Sequence, residues 1–373
     1  MDKLKDVKKI AVLRANAIGD LVVILPAVQS LKQTYPSAET ILLSNGWQAD
    51  FLIKGRTAID RVIRLPKMKG INSTENDDPA LIETFFSQMQ DEAFDIAVAM
   101  QGRGLAANPF LKRLDARLTI GFVSEGTEKP DRYLEYFYYQ NEILKYHELA
   151  KLAGATEFPL QPEIKVLPAD RAEVEGLMQQ LGEQDFIVLH PFANDLRRMW
   201  PLENFVPLAD ALSDQGFKVV FTGSKSDKSE VQHIVSRMKN DAINSCGLYT
   251  LGGLSALLAQ ALLVIGADTG PIHLARALKT PTIGFYWAPN LINWGPLFCD
   301  THRPLVSWQM QCSLCGQIPN DPYPYEPKNG CDHNISFVKD ISVQKVLNTI
   351  ESLLMDVKVY NSERKGKMQH HYG

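Results

Sequence analysis

Short apolar runs alternate with amphipathic stretches along almost the whole chain, and this alternation constrains the fold more than any other feature. Strand candidates fall at Lys9–Arg14, Thr40–Ser44, Arg61–Leu65, Phe94–Met100 and Leu118–Gly121, then at Phe186–His190, Lys218–Thr222, Leu262–Gly266 and Thr282–Tyr286. Helix candidates lie between and after them: Asp20–Tyr35, Pro79–Glu92, Asn141–Ala153, Ala169–Leu181, Leu202–Gln215, Ser226–Lys239, Leu254–Ala261, Pro271–Leu278 and Val343–Met355. Strands joined through helices make parallel βαβ units, so the class is α/β. Sheets of this kind bind ligands beyond the carboxyl ends of their strands, which directs attention to the loops there.

A chain of 373 residues exceeds one ordinary core, so two domains are expected. Phe158–Pro168 carries three prolines and is the linker candidate. It divides a first domain, 1–160, from a second, 161–340. The polar segment 358–373 reads as a frayed tail, and Gln309–Asp332 as a long ordered loop. With 45% hydrophobic and 22% charged residues, the composition is that of a globular protein. A net charge of -4 supplies no global basic field, so nucleic-acid binding is not expected.

Arg14 and Asp20 interrupt any signal-peptide core, and the apolar stretch Leu251–Ala267, broken by Gly252, Gly253 and Gln260, stays short of a membrane span. A cytoplasmic protein is therefore expected. Five cysteines in a chain of this length do not suggest a disulfide scaffold.

Three loops carry candidate chemistry. The first strand ends in Arg14-Ala-Asn-Ala-Ile-Gly-Asp20 before an apolar helix. Alone, Asp20 reads as a helix cap; Pro26 should kink or restart the helix that follows. The second loop, Ala-Asp268-Thr269-Gly270-Pro271-Ile-His273, follows a buried-strand pattern, with proline as a helix start. Amides near Thr269 and Gly270 at the positive end of that helix suit a diphosphate. Asp268 would repel phosphate and instead suits sugar hydroxyls, while His273 either adds a ligand contact or is a half-buried helix histidine. The third loop, after His190, carries Arg197-Arg198-Met-Trp200. Its arginines suit phosphate or a plain surface equally, and Thr222-Gly223 follows a further strand.

Neither G-x-G-x-x-G nor G-x-x-x-x-G-K-[ST] occurs, which disfavours a dinucleotide oxidoreductase or a P-loop ATPase. No D-x-D pair occurs either, so a metal-independent handling of diphosphate is favoured.

Together these pieces resemble the bacterial heptosyltransferase family, which transfers heptose from ADP-heptose in lipopolysaccharide core assembly. The resemblance rests on Ile10-Ala-Val-Leu-Arg14 with Gly19-Asp20, Leu25-Pro-Ala-Val28, Tyr35-Pro36, Met100-Gln-Gly-Arg103, Arg198-Met-Trp-Pro201 and Ala267–Ala275, and it covers Lys8 to Asn290. It implies a GT-B-like fold of two Rossmann-like domains with parallel sheets facing a central cleft. The N-terminal domain would hold the acceptor and the C-terminal one the nucleotide sugar, with a C-terminal helix, 341–357, returning to the first domain.

By motif position Asp20 resembles the general base of an inverting transfer, and Asp268, Thr269, Gly270 and His273 resemble donor ligands. Arg198 stands where the family usually carries lysine, so the charge is kept but as a planar fork. Thr222 and Gly223 complete the expected donor set. Gln101, Arg103 and, from the cluster Lys54, Arg56, Arg61, Arg64, Lys67 and Lys69, chiefly Arg61 and Arg64 are the acceptor candidates. That cluster reads otherwise as a solvated face; its sharper reading is a landing site for an anionic acceptor or the inner membrane surface.

The acceptor implied is a glycolipid or, as an alternative, a protein or natural-product hydroxyl, with another nucleotide sugar also open. A non-catalytic nucleotide-sugar binder and a non-hydrolysing sugar epimerase are the remaining alternatives.

Cys312-x2-Cys315, fifteen residues and Cys331-x-His333 have the spacing of a tetrahedral metal site. Three reduced thiols in a loop fit equally well. Protein-directed heptosyltransferases related to the family carry a cysteine-bound iron in a comparable region. No cofactor is expected for catalysis, and a zinc or iron ion here would be structural.

Overall fold

The structure is a computed structural model; it describes residues 2–52, 54–319, 331 and 333–369, with side chains to 356. The chain divides into two compact units, Met1–Lys165 and Val166–Gly373, with the boundary inside the proline-rich Phe158–Pro168 stretch.

In the first unit, β1 (Lys9–Leu13), β2 (Glu39–Ser44), β3 (Arg61–Arg64), β4 (Ile96–Ala99), β5 (Leu118–Val123) and β6 (Arg132–Glu135) form a wholly parallel sheet in the order β3-β2-β1-β4-β5-β6. In the second, β7 (Phe186–His190), β8 (Lys218–Phe221), β9 (Ile243–Asn244), β10 (Leu263–Ala267), β11 (Thr282–Trp287) and β12 (His302–Ser307) run β12-β11-β10-β7-β8-β9, again all parallel. Counted within its own unit and read from the other edge, that is the same 3-2-1-4-5-6 order. Each sheet therefore changes direction between its first and fourth strands, at β1/β4 and β7/β10, where doubly wound folds bind their ligands.

The central strands are covered on both faces and read as unbroken apolar runs. Ile10, Val12 and Leu13 of β1 and Leu263, Val264 and Ile265 of β10 have no solvent exposure. The helices start where side chains satisfy the orphan amides of the first turn. Asp78 accepts from the Ala80 amide ahead of Pro79, Asn141 from Ile143, and Thr250 from Gly253.

Three strands and three helices have no strong sequence signal. β6 alternates half-buried with exposed residues at a sheet edge, β9 is two residues long, and β12 contains Pro304, which an edge strand tolerates. The helices Gly46–Phe51, Ala107–Arg113 and Ala288–Trp294 are each six or seven residues, too short for a periodic pattern.

The helix Ile18–Thr34 continues through Pro26 without restarting there. Leu21 to Val28 are all buried, and that packing offsets the hydrogen bond proline cannot make. One turn on, the Ser30 hydroxyl donates to the Pro26 carbonyl at 3.1 Å.

The last helix spans Val343–Gln369, so most of the segment expected as a frayed tail is helical backbone; 370–373 lie outside the described residues. Val346, Ile350 and Leu353 on this helix belong to the core of the second unit, and Asp356 pairs with Arg303 of β12 at 2.7 Å. Over the described side chains these contacts lie within the second unit; a return to the first domain stays what the resemblance implies. Of the expected loop Gln309–Asp332, residues 320–330 and 332 lie outside the described residues.

Candidate functional site

The first unit builds its site on the loop after β1. Every carbonyl of residues 14–17 is engaged. The Ser44 hydroxyl donates to that of Arg14, the Asn45 amide to Ala15 at 2.7 Å, the Gln48 amide to Asn16 at 2.9 Å, and the Leu21 N–H to Ala17 at 3.1 Å. The Ala15 N–H donates to Gln101 Oε1 at 2.7 Å. A loop fixed at both donors and acceptors holds its side chains with little freedom.

Asp20, third in the helix, points back over this loop. Its Oδ2 accepts from the Ala17 amide at 3.0 Å and its Oδ1 from Arg14 at 2.5 Å. The side chain keeps 24% exposure, so one face stays open to a reactant while Arg14 is buried. The N-cap is Ala17 and not Asp20: the Asp20 carboxylate reaches back from the third helical position to the cap amide, and that bond orients it.

Gln101 follows β4 but turns inward. It accepts from Ala15, donates to the Ile71 carbonyl at 2.6 Å, and is buried. Its role here is to brace the Asp20 loop rather than to meet an acceptor. Arg103 lies after β4, with its carbonyl accepting from the Ser124 hydroxyl at 3.1 Å.

Arg61 corrects an expectation. It opens β3, at the amino end of the sheet, and its guanidinium is held by Glu39 at 2.9 Å and Glu92 at 2.8 Å. Arg61, with Lys9 assisting, brings the Glu92 carboxyl down to about 2 despite its burial. That charge is already balanced, at the sheet end opposite to the ligand rim. Arg64, at the carboxyl end of β3, is 62% exposed and pairs with Asp50 at 2.6 Å. An exposed pair of this kind is weak and open to exchange.

The second unit gathers its candidates along the carboxyl rim of β10, β7 and β8, which are neighbours in the sheet. His190 ends β7, and its Nδ1 meets the Thr222 hydroxyl after β8 at 3.1 Å. Burial drives the His190 pKa down to about 4, so the ring is neutral at pH 7 and the positive charge of this rim falls to Arg198. Arg198 Nη1 donates to the Asp268 carbonyl at 3.1 Å. Its Nε is buried with no partner among the described residues, so the fork retains a donor for an anion.

Asp268 is 2% exposed. Its two carboxylate oxygens accept from His273 Nε2 and from the Asn290 amide, each at 3.0 Å. His273 in turn lies 3.4 Å from Arg276, which donates to the Trp294 carbonyl at 2.9 Å. Asp268 and His273 thus form a buried brace behind the rim. The bonds expected for sugar and phosphate are made within the protein. What this brace holds forward is the start of the helix Gly270–Ala277, with half-exposed Thr269 as its N-cap and Pro271 in the first turn. At this helix start the Ile272 amide donates to the Thr269 carbonyl at 3.1 Å and Pro271 has no N–H, so within the first turn Gly270 carries the candidate donor amide.

Gly223 has a packing role. A Cβ there would meet Cys246 Sγ at 2.9 Å and the Asp227 Cβ at 3.0 Å. Trp200 is fully buried, its ring tilted against Phe285 with centroids 4.8 Å apart, and its indole N–H donates to the Ile341 carbonyl at 2.7 Å.

Sequence reasoning overlooked Arg14, Tyr146, His190, Asn290 and Arg276 as site residues. Arg14 and His190 had a signal, since each ends a strand at a switch point. Asn290 and Tyr146 approach only through tertiary packing.

Cys312, Cys315, Cys331 and His333 come together, their ligand atoms all within 4.8 Å of one another. Sulfurs around a tetrahedral zinc lie roughly 3.8 Å apart given bonds of about 2.3 Å, and His333 Nδ1 is 3.7 Å from both Cys312 and Cys331 sulfurs. Burial opposes the Cys312 thiolate, but amide donors from Leu314 and Cys315 outweigh it and bring its pKa to about 6. Gly316, at φ 73°, makes the turn, its N–H donating to the Cys312 carbonyl at 2.8 Å. The set fits zinc or iron. Just beyond it, the Ser336 hydroxyl donates to the Met199 carbonyl at 2.5 Å, and the Phe337 N–H to the Arg197 carbonyl at 2.8 Å. The segment leaving the cluster therefore holds the loop that carries Arg198.

None of the helices among the described residues is long and apolar enough to cross a membrane.

Comparison with known proteins agrees with this geometry. The chain is 23% identical over 345 residues to lipopolysaccharide heptosyltransferase 3 of Escherichia coli K12, covering 90% of this chain and 95% of that one. The solved structure of E. coli ADP-heptose lps heptosyltransferase II superposes with a TM-score of 0.71 at 17% identity, over 94% of this chain and 99% of that one. The iron-containing dodecameric glycosyltransferase TibC from enterotoxigenic E. coli gives 0.54 at 11%, over 94% and 80%. Both carry the same GT-B-like fold of two parallel-sheet units. Residues 82–321 match the family described as glycosyltransferase family 9 (heptosyltransferase), and with both switch points and their loops in place the chain belongs to that family.

Proposed function

We propose that this chain transfers heptose from ADP-heptose to a hydroxyl of a lipopolysaccharide-core acceptor, inverting the anomeric centre. The observation that carries the reading is Asp20: a part-exposed carboxylate oriented by Arg14 and the Ala17 amide on a loop anchored at each carbonyl. Family membership and the lipopolysaccharide heptosyltransferases among its relatives support the donor and acceptor class.

In this mechanism Asp20 takes the proton of the acceptor hydroxyl while that oxygen attacks the anomeric carbon. The bond from that carbon to the phosphate oxygen breaks, and ADP leaves with the bonding electrons. Arg198 and the amides at Thr269 and Gly270 meet the growing charge on the diphosphate. Asp268 and His273 keep that helix start in position. Thr222 and the neutral His190 complete the rim on the nucleotide side. Arg64, exposed at the carboxyl end of β3, and Arg103, after β4, are the cations proposed for an acidic acceptor.

Cys312, Cys315, Cys331 and His333 would hold a zinc or iron ion with a structural task, cross-linking the loop to the segment that follows it. TibC, an iron-containing relative in fold, supports iron. The same group favours a second reading of the acceptor alone, a protein hydroxyl in place of a glycolipid.

The test is release of ADP from ADP-heptose with lipopolysaccharide core, with a protein acceptor, or with neither. Core-dependent release that disappears in Asp20→Ala is expected. Equal release from UDP- or GDP-linked sugars would overturn the donor, and release only with protein would replace the acceptor.

A further inference from the structure

The first unit buries charges that the transfer chemistry does not use. Lys145 has no solvent exposure, Glu142 is 5% exposed, and they pair at 2.5 Å in the interior. Tyr146, one residue on, is 3% exposed. Burial, with the Glu142 carboxylate nearby, raises the pKa of its phenol well above 10, so it stays protonated. The phenol oxygen accepts from Arg14 Nη1. Arg14 Nη1 also donates to the Met100 carbonyl at 2.6 Å, and Nη2 to Asp20. The Lys145 ammonium also lies 4.7 Å from the centre of the Tyr136 ring.

Arg14 donates to both Tyr146 and Asp20, and the buried Lys145–Glu142 pair lies beside them. Buried ion pairs are a poor source of stability, since apolar side chains of the same volume serve as well or better. A charged cluster kept inside this core therefore calls for another purpose, and its part-exposed member is Asp20.

Arg14 by itself is loosely specified. Its Nε is buried without a partner, so its orientation rests on the two Nη groups. Tyr146 and Met100 fix Nη1, and only then does Nη2 meet the outer oxygen of Asp20 from one direction. The Asp20 carboxylate is held on its other oxygen by the Ala17 amide. Two anchors on different oxygens set the plane of the carboxylate.

We infer that Tyr146 is a positioning residue for the transfer reaction, acting through Arg14 to fix the plane of the Asp20 carboxylate. The inference rests on Asp20 as the base. It requires no change in donor binding, because all of its members belong to the first unit.

The experiment is a set of variants, Tyr146→Phe, Tyr146→Leu, Asp20→Ala and each of the first two combined with Asp20→Ala. Heptosyl transfer from ADP-heptose to lipopolysaccharide core and ADP affinity by calorimetry are measured in each. A displaced reacting group costs on the order of 100-fold in rate per ångström, so kcat should fall roughly 10- to 100-fold in Tyr146→Phe. ADP affinity should hold within about twofold, and either change should be silent when added to Asp20→Ala. Tyr146→Leu also removes the hydroxyl, and the Tm of each variant identifies a chain that fails to fold.

Unchanged kcat in both single variants, with Asp20→Ala inactive, would refute the network and leave the base intact. A loss of ADP affinity matching the loss of rate, or a further loss in the Asp20→Ala background, would make the effect general destabilisation and refute it equally. Full turnover in Asp20→Ala would remove the base itself and this role with it.

Discussion

Arg198 donates from its guanidinium to the backbone carbonyl of Asp268 at 3.1 Å, which ties the loop after β7 to the loop after β10 across the switch point of the second sheet. The bond leaves the buried Nε of Arg198 without a protein partner. Replacing Arg198 by Ala should weaken ADP binding by roughly 10- to 100-fold, the range of one charge-assisted hydrogen bond. Arg198→Lys should keep the charge and recover part of the loss. Calorimetry on both variants reads this, and unchanged affinity in Arg198→Ala would remove Arg198 from the donor set.

Asp20→Ala should lower kcat by about 10² to 10⁴, as removal of a general base does. ADP affinity should stay near that of the parent chain. Steady-state kinetics with calorimetry separate the two effects.

Acid should destabilise the second unit through its buried imidazoles. Burial lowers the pKa of His190 to about 4 and that of His302, beside Arg276 and Arg303, to about 3. The unfolded chain binds these protons near pH 6.5 and the folded chain does not, so their stabilisation is complete above that pH. It is lost as pH falls through the window down to about 4 and about 3 respectively. Each histidine contributes a slope on the order of 1.4 kcal/mol per pH unit inside its window. Thermal melts from pH 7 to 4 should show a falling Tm, with a shallower fall in His302→Gln.

Cys315→Ser should lower the bound zinc or iron from one equivalent, as read by elemental analysis. Because Phe337 and Ser336, just past His333, hold the carbonyls of Arg197 and Met199, the same variant should also weaken ADP binding. Loss of metal with full ADP affinity would uncouple the cluster from the donor rim.

Gly223→Ala should destabilise the second unit. The added methyl meets Cys246 at 2.9 Å and Asp227 at 3.0 Å, and Ser224 with Asp227 caps the turn that follows. Overpacking of this kind costs about 1–3 kcal/mol. Combining it with Cys246→Ala should recover part of the lost Tm, since one of the two contacts is relieved.

The class of fold was legible because parallel strands buried on both faces write themselves as apolar runs, and Phe186–His190 was readable to the residue for that reason. Edge elements were not. Arg132–Glu135 needs its neighbour β5 to be a strand at all, and the Ala288–Trp294 helix is too short to show a period.

At the site, the positions of Asp20, Arg198 and Asp268 were readable from strand-end loops, but their partners were not. Nothing local in the sequence pairs Asp268 with Asn290, or Arg14 with Tyr146, which lies 132 residues away. Arg61 misled for a related reason. A run of cations in sequence carries no record of the carboxylates, Glu39 and Glu92, that the fold sets against it.

Both units thread their strands in one order and load only the carboxyl rims differently. A scaffold used twice separates what must be preserved from what can vary. Because the donor candidates of the second unit lie on or just behind a single rim, they form a cassette. A change of nucleotide preference would come from exchanging the loops after β7, β8 and β10 as a set, with the strands beneath left as they are.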